Sequence, residues 1–166
     1  MKNKSMQIVI GMFLGLLMIV GGTQVFVSGQ RNARQAEEHS IEGVWQTAVT
    51  QRNCQTGNPI ATFQGLSTFN KGGTMAETST ALPPALRSPG HGVWRREPGF
   101  QEYSFAFTFL RFNPDGTFAG TQVIRQTSTL APGGNQYNAT GFIEVYNAGG
   151  NLLGTGCATS VATRFE

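Results

Sequence analysis

Phe112-Asn113-Pro114-Asp115-Gly116-Thr117 decides how this chain folds. It reads aromatic, Asn, two turn formers, Gly and a small polar residue, and it stands between runs rich in Phe and Thr. The template recurs at Phe69-Asn70-Lys71-Gly72-Gly73-Thr74 and at Tyr146-Asn147-Ala148-Gly149-Gly150-Asn151. Gly in the fifth position supplies the positive φ that closes a tight hairpin, commonly a type I turn followed by a bulge. Three such hairpins in the last ~100 residues predict an antiparallel meander.

Read outward from these turns, the chain divides into eight strands: Gly43 to Arg52, Ile60 to Phe69, Thr74 to Thr80, His91 to Arg96, Gln101 to Phe112, Thr117 to Leu130, Tyr137 to Tyr146 and Leu152 to Phe165. The stretch Ala81 to Gly90 carries three prolines and is a loop, because Pro lacks the donor a sheet ladder needs. No segment of the domain shows a helical period of apolar residues. The expected fold is all-β: an eight-stranded antiparallel up-and-down meander closed into a β-barrel, preceded by an N-terminal signal or anchor helix. Closure removes the exposed edges that would make such a Thr- and Phe-rich chain aggregate.

The fifth strand fixes a face. Tyr103, Phe105, Phe107 and Phe109 alternate with Ser104, Ala106 and Thr108, so four aromatic rings share one side. Such rings either fill a core or line a cavity, and an eight-stranded barrel is the size at which both occur.

At the N-terminus, Lys2 and Lys4 precede an apolar run from Ile8 to Val20, followed by small residues. This is the layout of a secretory signal peptide, with Val27-Ser28-Gly29 as a cleavage triplet before Gln30 and Gly21-Gly22-Thr23 as a second option. Ser5 to Gln30 carries no charge, so an uncleaved membrane anchor is the alternative. The expected organisation is residues 1–29 as signal or anchor, 30–41 as polar linker and 42–166 as one barrel domain, secreted or periplasmic, or anchored with the barrel outside the cytoplasm. About 125 residues suffice for one domain with a core and are too few for two.

Loss of Lys2 and Lys4 leaves ten basic against nine acidic side chains, a net charge of +1. Lys71 is then the only lysine and no basic stripe exists, so nucleic acid is not an expected partner. Membrane contact is expected only through residues 5–29, if these are retained, and the oligomeric state as monomer or weak dimer.

Cys54 would end the first strand and Cys157 lies in the last. An even cysteine count in an exported chain suggests a disulfide, which here would staple the seam where the barrel closes. Two buried free thiols are the other reading.

Enzymatic signatures are thin. The only aspartate, Asp115, sits in a Pro-Asp-Gly turn where Asp is expected for structural reasons. His39 falls in the linker, and His91 has no second histidine in the domain to complete a metal site. No catalytic residue, metal or cofactor is therefore expected. Arg125 and Glu144, on paired strands, are candidates for a polar anchor should they face inward. Asn138-Ala139-Thr140 matches the glycosylation pattern, a short motif that chance also produces.

The first strand opens Gly43-Val44-Trp45 and the last ends Thr163-Arg164-Phe165. This combination resembles the lipocalin-like (calycin) barrels, in which a Gly-x-Trp opens the first strand and an Arg of the last strand packs across the Trp. The resemblance implies a cation–π plug of Trp45 and Arg164 at the closed end, a fold element and not a binding site. The Thr-Asp-Tyr motif of that family is missing between the sixth and seventh strands, and no helix follows the eighth before Glu166, which points to a short bacterial-type relative. Allene oxide cyclase and dirigent-like barrels, also eight-stranded with apolar cavities, are the rival family. The expected function is a non-catalytic barrel that binds a small hydrophobic molecule against Tyr103, Phe105, Phe107 and Phe109, with Ala81 to Gly90 as a lid. The alternatives are a cyclase or isomerase, and a packed structural or interaction barrel of the cell envelope.

Overall fold

The computed structural model describes residues 40–99 and 101–165. The expected signal or anchor segment, residues 1–29, lies outside the described residues. So do all of the linker but Ser40 and Ile41, and with it His39. No helix among the described residues is long and apolar enough to cross a membrane.

Eight strands follow one another: β1 (Gly43–Arg52), β2 (Pro59–Phe69), β3 (Thr74–Ser79), β4 (Gly90–Arg96), β5 (Glu102–Phe112), β6 (Phe118–Leu130), β7 (Gln136–Tyr146) and β8 (Leu152–Arg164). A single 3-10 turn, Pro84–Leu86, interrupts the loop between β3 and β4. Each strand pairs antiparallel with the next, and β1 pairs with β8, so the sheet closes into a barrel.

The three repeats share one pattern of turn hydrogen bonds. The carbonyls of Asn70, Asn113 and Asn147 accept from the amides of Gly73, Gly116 and Gly150, and the Asn amides donate to the carbonyls of Thr74, Thr117 and Asn151. Gly73, Gly116 and Gly150 have φ of 90°, 81° and 80°, the region where a side chain would be strained. The register slips beside the second and third turns, between Arg111 and Phe112 and between Val145 and Tyr146. The second and third are type I turns followed by a glycine bulge, whereas at the first Gly72 also has a positive φ, 95°, as the third residue of a type II turn.

One end of the barrel is sealed. The Trp45 side chain is fully buried and its Nε1 donates to the carbonyl of Ile41 at 2.8 Å. Arg164 lies over the indole with its guanidinium carbon 4.3 Å from the ring centroid. The same guanidinium donates to the carbonyls of Ser40, Glu42 and Gly134 at 2.6–3.0 Å. Gly43 is required beside it: a Cβ there would stand 2.7 Å from Arg164 Nη1, and its φ is 121°. Ile41, read from sequence as linker, is a correction. It is fully buried in the same core, because it covers the barrel floor ahead of β1. Phe69, Met75, Tyr103, Phe105, Leu130 and Tyr137 complete this core, with edge-on contacts such as Trp45 to Tyr137 at 4.8 Å.

Cys54 and Cys157 are disulfide-bonded, 103 residues apart. Cys157 lies opposite Arg52 in the β1–β8 ladder, so the bond spans the closure seam two residues beyond the last pair. A loop of this length gives about 4–5 kcal/mol in the chain-entropy account, less any strain. Urea unfolding with and without reductant checks this: reduction is expected to lower stability by roughly that amount. The Cys54→Ser/Cys157→Ser double variant should match the reduced protein and be insensitive to reductant.

Candidate functional site

The candidate site is the open half of the barrel interior, and the period-two alternation of the strands builds it. Trp45, Thr47 and Val49 of β1, Ser67 of β2 and Glu77 of β3 point inward. Phe105, Phe107 and Phe109 of β5 do the same, with Gln122, Ile124 and Gln126 of β6. Inward residues near Trp45 are buried, whereas Val49, Phe63, Phe107, Gln122 and Ile143 toward the other end are half-buried. The interior is thus closed at one end and reaches solvent at the other.

A cavity of about 60 Å³ lies where the two halves meet. Phe105, Phe107 and Phe109 form one wall, with Thr47, Ser67 and Tyr137 among the polar lining. Tyr103 does not line it. It is a correction to the expected cavity wall, because its position at the start of β5 puts it in the sealed core, 1 % exposed and against Trp94. Typical small-molecule pockets hold roughly 300–1,000 Å³, so in this conformation the interior has room only for about two water molecules' volume.

What occupies the mouth is Arg87. It enters from the loop between β3 and β4 and is 7 % exposed. Its Nη2 is 2.5 Å from Glu77 Oε2, its Nη1 donates to Ser79 Oγ, and its guanidinium carbon lies 4.0 Å from the centroid of the Phe109 ring. The loop is stitched to β5 and does not stand free over the mouth as a lid. Ser88 N donates to the Leu110 carbonyl at 2.9 Å, Leu110 N donates to Ser88 Oγ at 3.0 Å, and Arg87 bridges Arg111.

Arg125 and Glu144 do form a pair, Nε to Oε2 at 3.4 Å, but on the outer wall. Their expected role as an interior anchor is corrected by the alternation: Ile124 and Gln126 face inward, so Arg125 between them faces out. They border a broad open depression of about 970 Å³ on the outer wall, together with Arg52, Arg95, Phe142 and the disulfide. Its guanidiniums are engaged: Arg95 with Glu97, Arg52 with Thr159 and the Gly57 carbonyl. The Glu97 carboxyl is held below its ordinary pKa by the Ser104 hydroxyl and by Arg95. His91 is exposed on the same outer face. No cluster of metal-ligating side chains exists among the described residues.

Several interior polar atoms have no partner. Thr47 Oγ1, Ser128 Oγ, Ser160 Oγ and Arg111 Nη1 are buried without a hydrogen bond. Each such atom costs about 1–3 kcal/mol if nothing meets it. The Tyr137 hydroxyl, beside Thr47 and Ser67, has its pKa pushed up to about 12, because burial disfavours the phenolate more than the two hydroxyls favour it.

From the sequence, Glu77 and Arg111 were among the strand charges able to pair, but Arg125 and Glu144 were preferred, and Arg87 was missed. Arg111 was legible, since it continues the Tyr103–Phe109 alternation by two residues. Glu77 stands two residues from the inward Met75. Arg87 had no signal, because loop residues carry no period. No protein-family model and no curated protein matches the chain, so the site is read from its own geometry.

The raised Tyr137 pKa makes a testable statement about pH. The folded protein keeps the phenolic proton where the unfolded chain, with an ordinary value of 10.0, has lost it. Stability is therefore fully present below pH 10 and falls as pH rises toward about 12, by roughly 3 kcal/mol. Urea unfolding across that range should show the fall, and Tyr137→Phe should flatten it.

Proposed function

We propose that this protein is an exported, non-catalytic barrel that binds one small, mainly apolar molecule in the open half of its interior. The observation that carries this is the asymmetry of the interior: one end sealed by Trp45 and Arg164, the other open to solvent along half-buried aromatic walls. The cavity lining also sets the hydroxyls of Thr47, Ser67 and Tyr137 among the rings, a few polar groups of the kind that orient a ligand in an apolar pocket. The Trp45–Arg164 stack also supports kinship with the lipocalin-like barrels, and the N-terminal sequence supports export. On this reading the Arg87 arm must withdraw for a ligand to enter, since about 60 Å³ holds no more than a fragment. The Ala81 to Gly90 loop would then act as a gate through one side chain and not as a lid.

The small cavity itself favours a second reading, a packed interaction barrel with no ligand. A cyclase or isomerase has less support: the inward carboxylate, Glu77, is engaged by Arg87, and Arg125 and Glu144 lie outside.

Removing Arg87 alone would leave Glu77 as a buried unpaired charge, at a cost of about 3–5 kcal/mol. The test is therefore the double variant Glu77→Gln/Arg87→Ala, with its fold checked by circular dichroism. Titration with the neutral apolar fluorophore N-phenylnaphthylamine is expected to show at least about tenfold tighter binding to the double variant than to the wild type, which corresponds to about 1.4 kcal/mol. No binding to either folded protein would favour the packed barrel.

A further inference from the structure

The open half of the interior holds an unbalanced charge. Arg87 and Arg111 face each other in an antiparallel bridge, which sends both side chains to the same side of the sheet. Arg87 is matched by Glu77. Arg111 continues the inward alternation of Phe107 and Phe109 and lies opposite the buried Gly120. It makes no ion pair or hydrogen bond with any described residue, and its Nη1 is out of contact with solvent. Asp115, close in sequence, is turned away: its Oδ1 accepts from the amide and hydroxyl of Thr117. Glu144 faces the outer wall toward Arg125. Two guanidiniums therefore share the mouth with one carboxylate.

A buried guanidinium nitrogen with no acceptor is unfavourable, and the like charge of Arg87 beside it adds to the cost. Such an arrangement is stabilised when an external anion supplies the missing acceptor. The planar guanidinium fork matches carboxylate and phosphate oxygens.

We propose that Arg111 is the anchor for an anionic head on the interior ligand, whose apolar part lies against Phe107 and Phe109. This rests on the reading of the open half as a binding site and adds the ligand class: a small amphiphilic anion whose charge remains at the mouth. The order is the reverse of burying a charge at the barrel floor, where the core is sealed and apolar apart from hydroxyls. Arg111 is half-buried, so the head gives up less hydration there than it would at the floor.

The test uses the full mature chain and four probes with one ten-carbon tail: decanoate, decyl phosphate, decanol and decylamine. Binding is measured by calorimetry at low and high salt. The expected result is that decanoate or decyl phosphate binds at least about tenfold tighter than decanol, with decylamine weakest. The preferred anion tells carboxylate from phosphate. Salt should shrink the advantage. Arg111→Gln should remove it, and Arg125→Gln on the outer wall should leave it intact.

A ligand-free measurement is independent of binding. Arg111→Met should hold or raise the melting temperature, because it removes an unpaired guanidinium. A marked fall in melting temperature would make Arg111 structural and overturn the proposal. Equal binding of all four probes would overturn the anionic head and leave the binding site standing. No binding of any probe, even to the Glu77→Gln/Arg87→Ala variant, would overturn both.

Discussion

The stack of Arg164 on Trp45 is the contact on which the rest of the barrel depends. One guanidinium touches four parts of the chain. It covers the indole of β1, extends from the end of β8, and donates to the carbonyls of Ser40, Glu42 and Gly134. Those carbonyls belong to the lead-in segment and to the loop between β6 and β7, so the one side chain adds to the Trp45–Ile41 bond and to the Arg164–Asn135 main-chain bond in holding the floor. A cation in this position loses hydration, and burial lowers its pKa from the ordinary value. The loss is offset by stacking and by four hydrogen bonds to carbonyls. With the floor closed, everything that can enter the barrel must enter from the other side.

That asymmetry divides the interior into two chemical regions. Toward the floor the rings of Trp45, Phe69, Phe105 and Tyr137 pack edge to face, and Tyr103 lies tilted against Trp94. Above it the wall is still aromatic but carries the amides of Gln122 and Gln126 and two arginines. The Cys54–Cys157 bond lies at this upper rim, where β1 has ended and β8 has not yet lost its neighbour. It holds the seam at the end where no core packing holds it. The open rim is thereby kept in shape while Arg87, on a loop tied to β5 by two hydrogen bonds, occupies its centre.

Much of the fold was legible because its signals are local. A turn of the form aromatic-Asn-x-x-Gly-polar dictates its own hydrogen bonds, and each strand boundary read from sequence moves by at most one residue in the structure. Alternation along β5 assigned the inner face, since period two is set by backbone geometry and not by tertiary context. The same rule carried through β6 would have turned Arg125 outward, but that requires knowing which face of β6 looks inward. Ile124, Gln126 and Ser128 on one side and Arg125, Thr127 and Thr129 on the other are too alike in polarity to say.

The sequence by itself determined the strand order, the turns and the rings that share a face, because each follows from backbone conformation or from neighbours along the chain. Only the tertiary structure decided how full the barrel is, that Tyr103 belongs to the sealed core, and that Arg87 reaches Glu77 from a loop without periodicity. Those outcomes depend on the summed volumes of side chains from eight strands, and on distances between residues that the chain's order keeps apart.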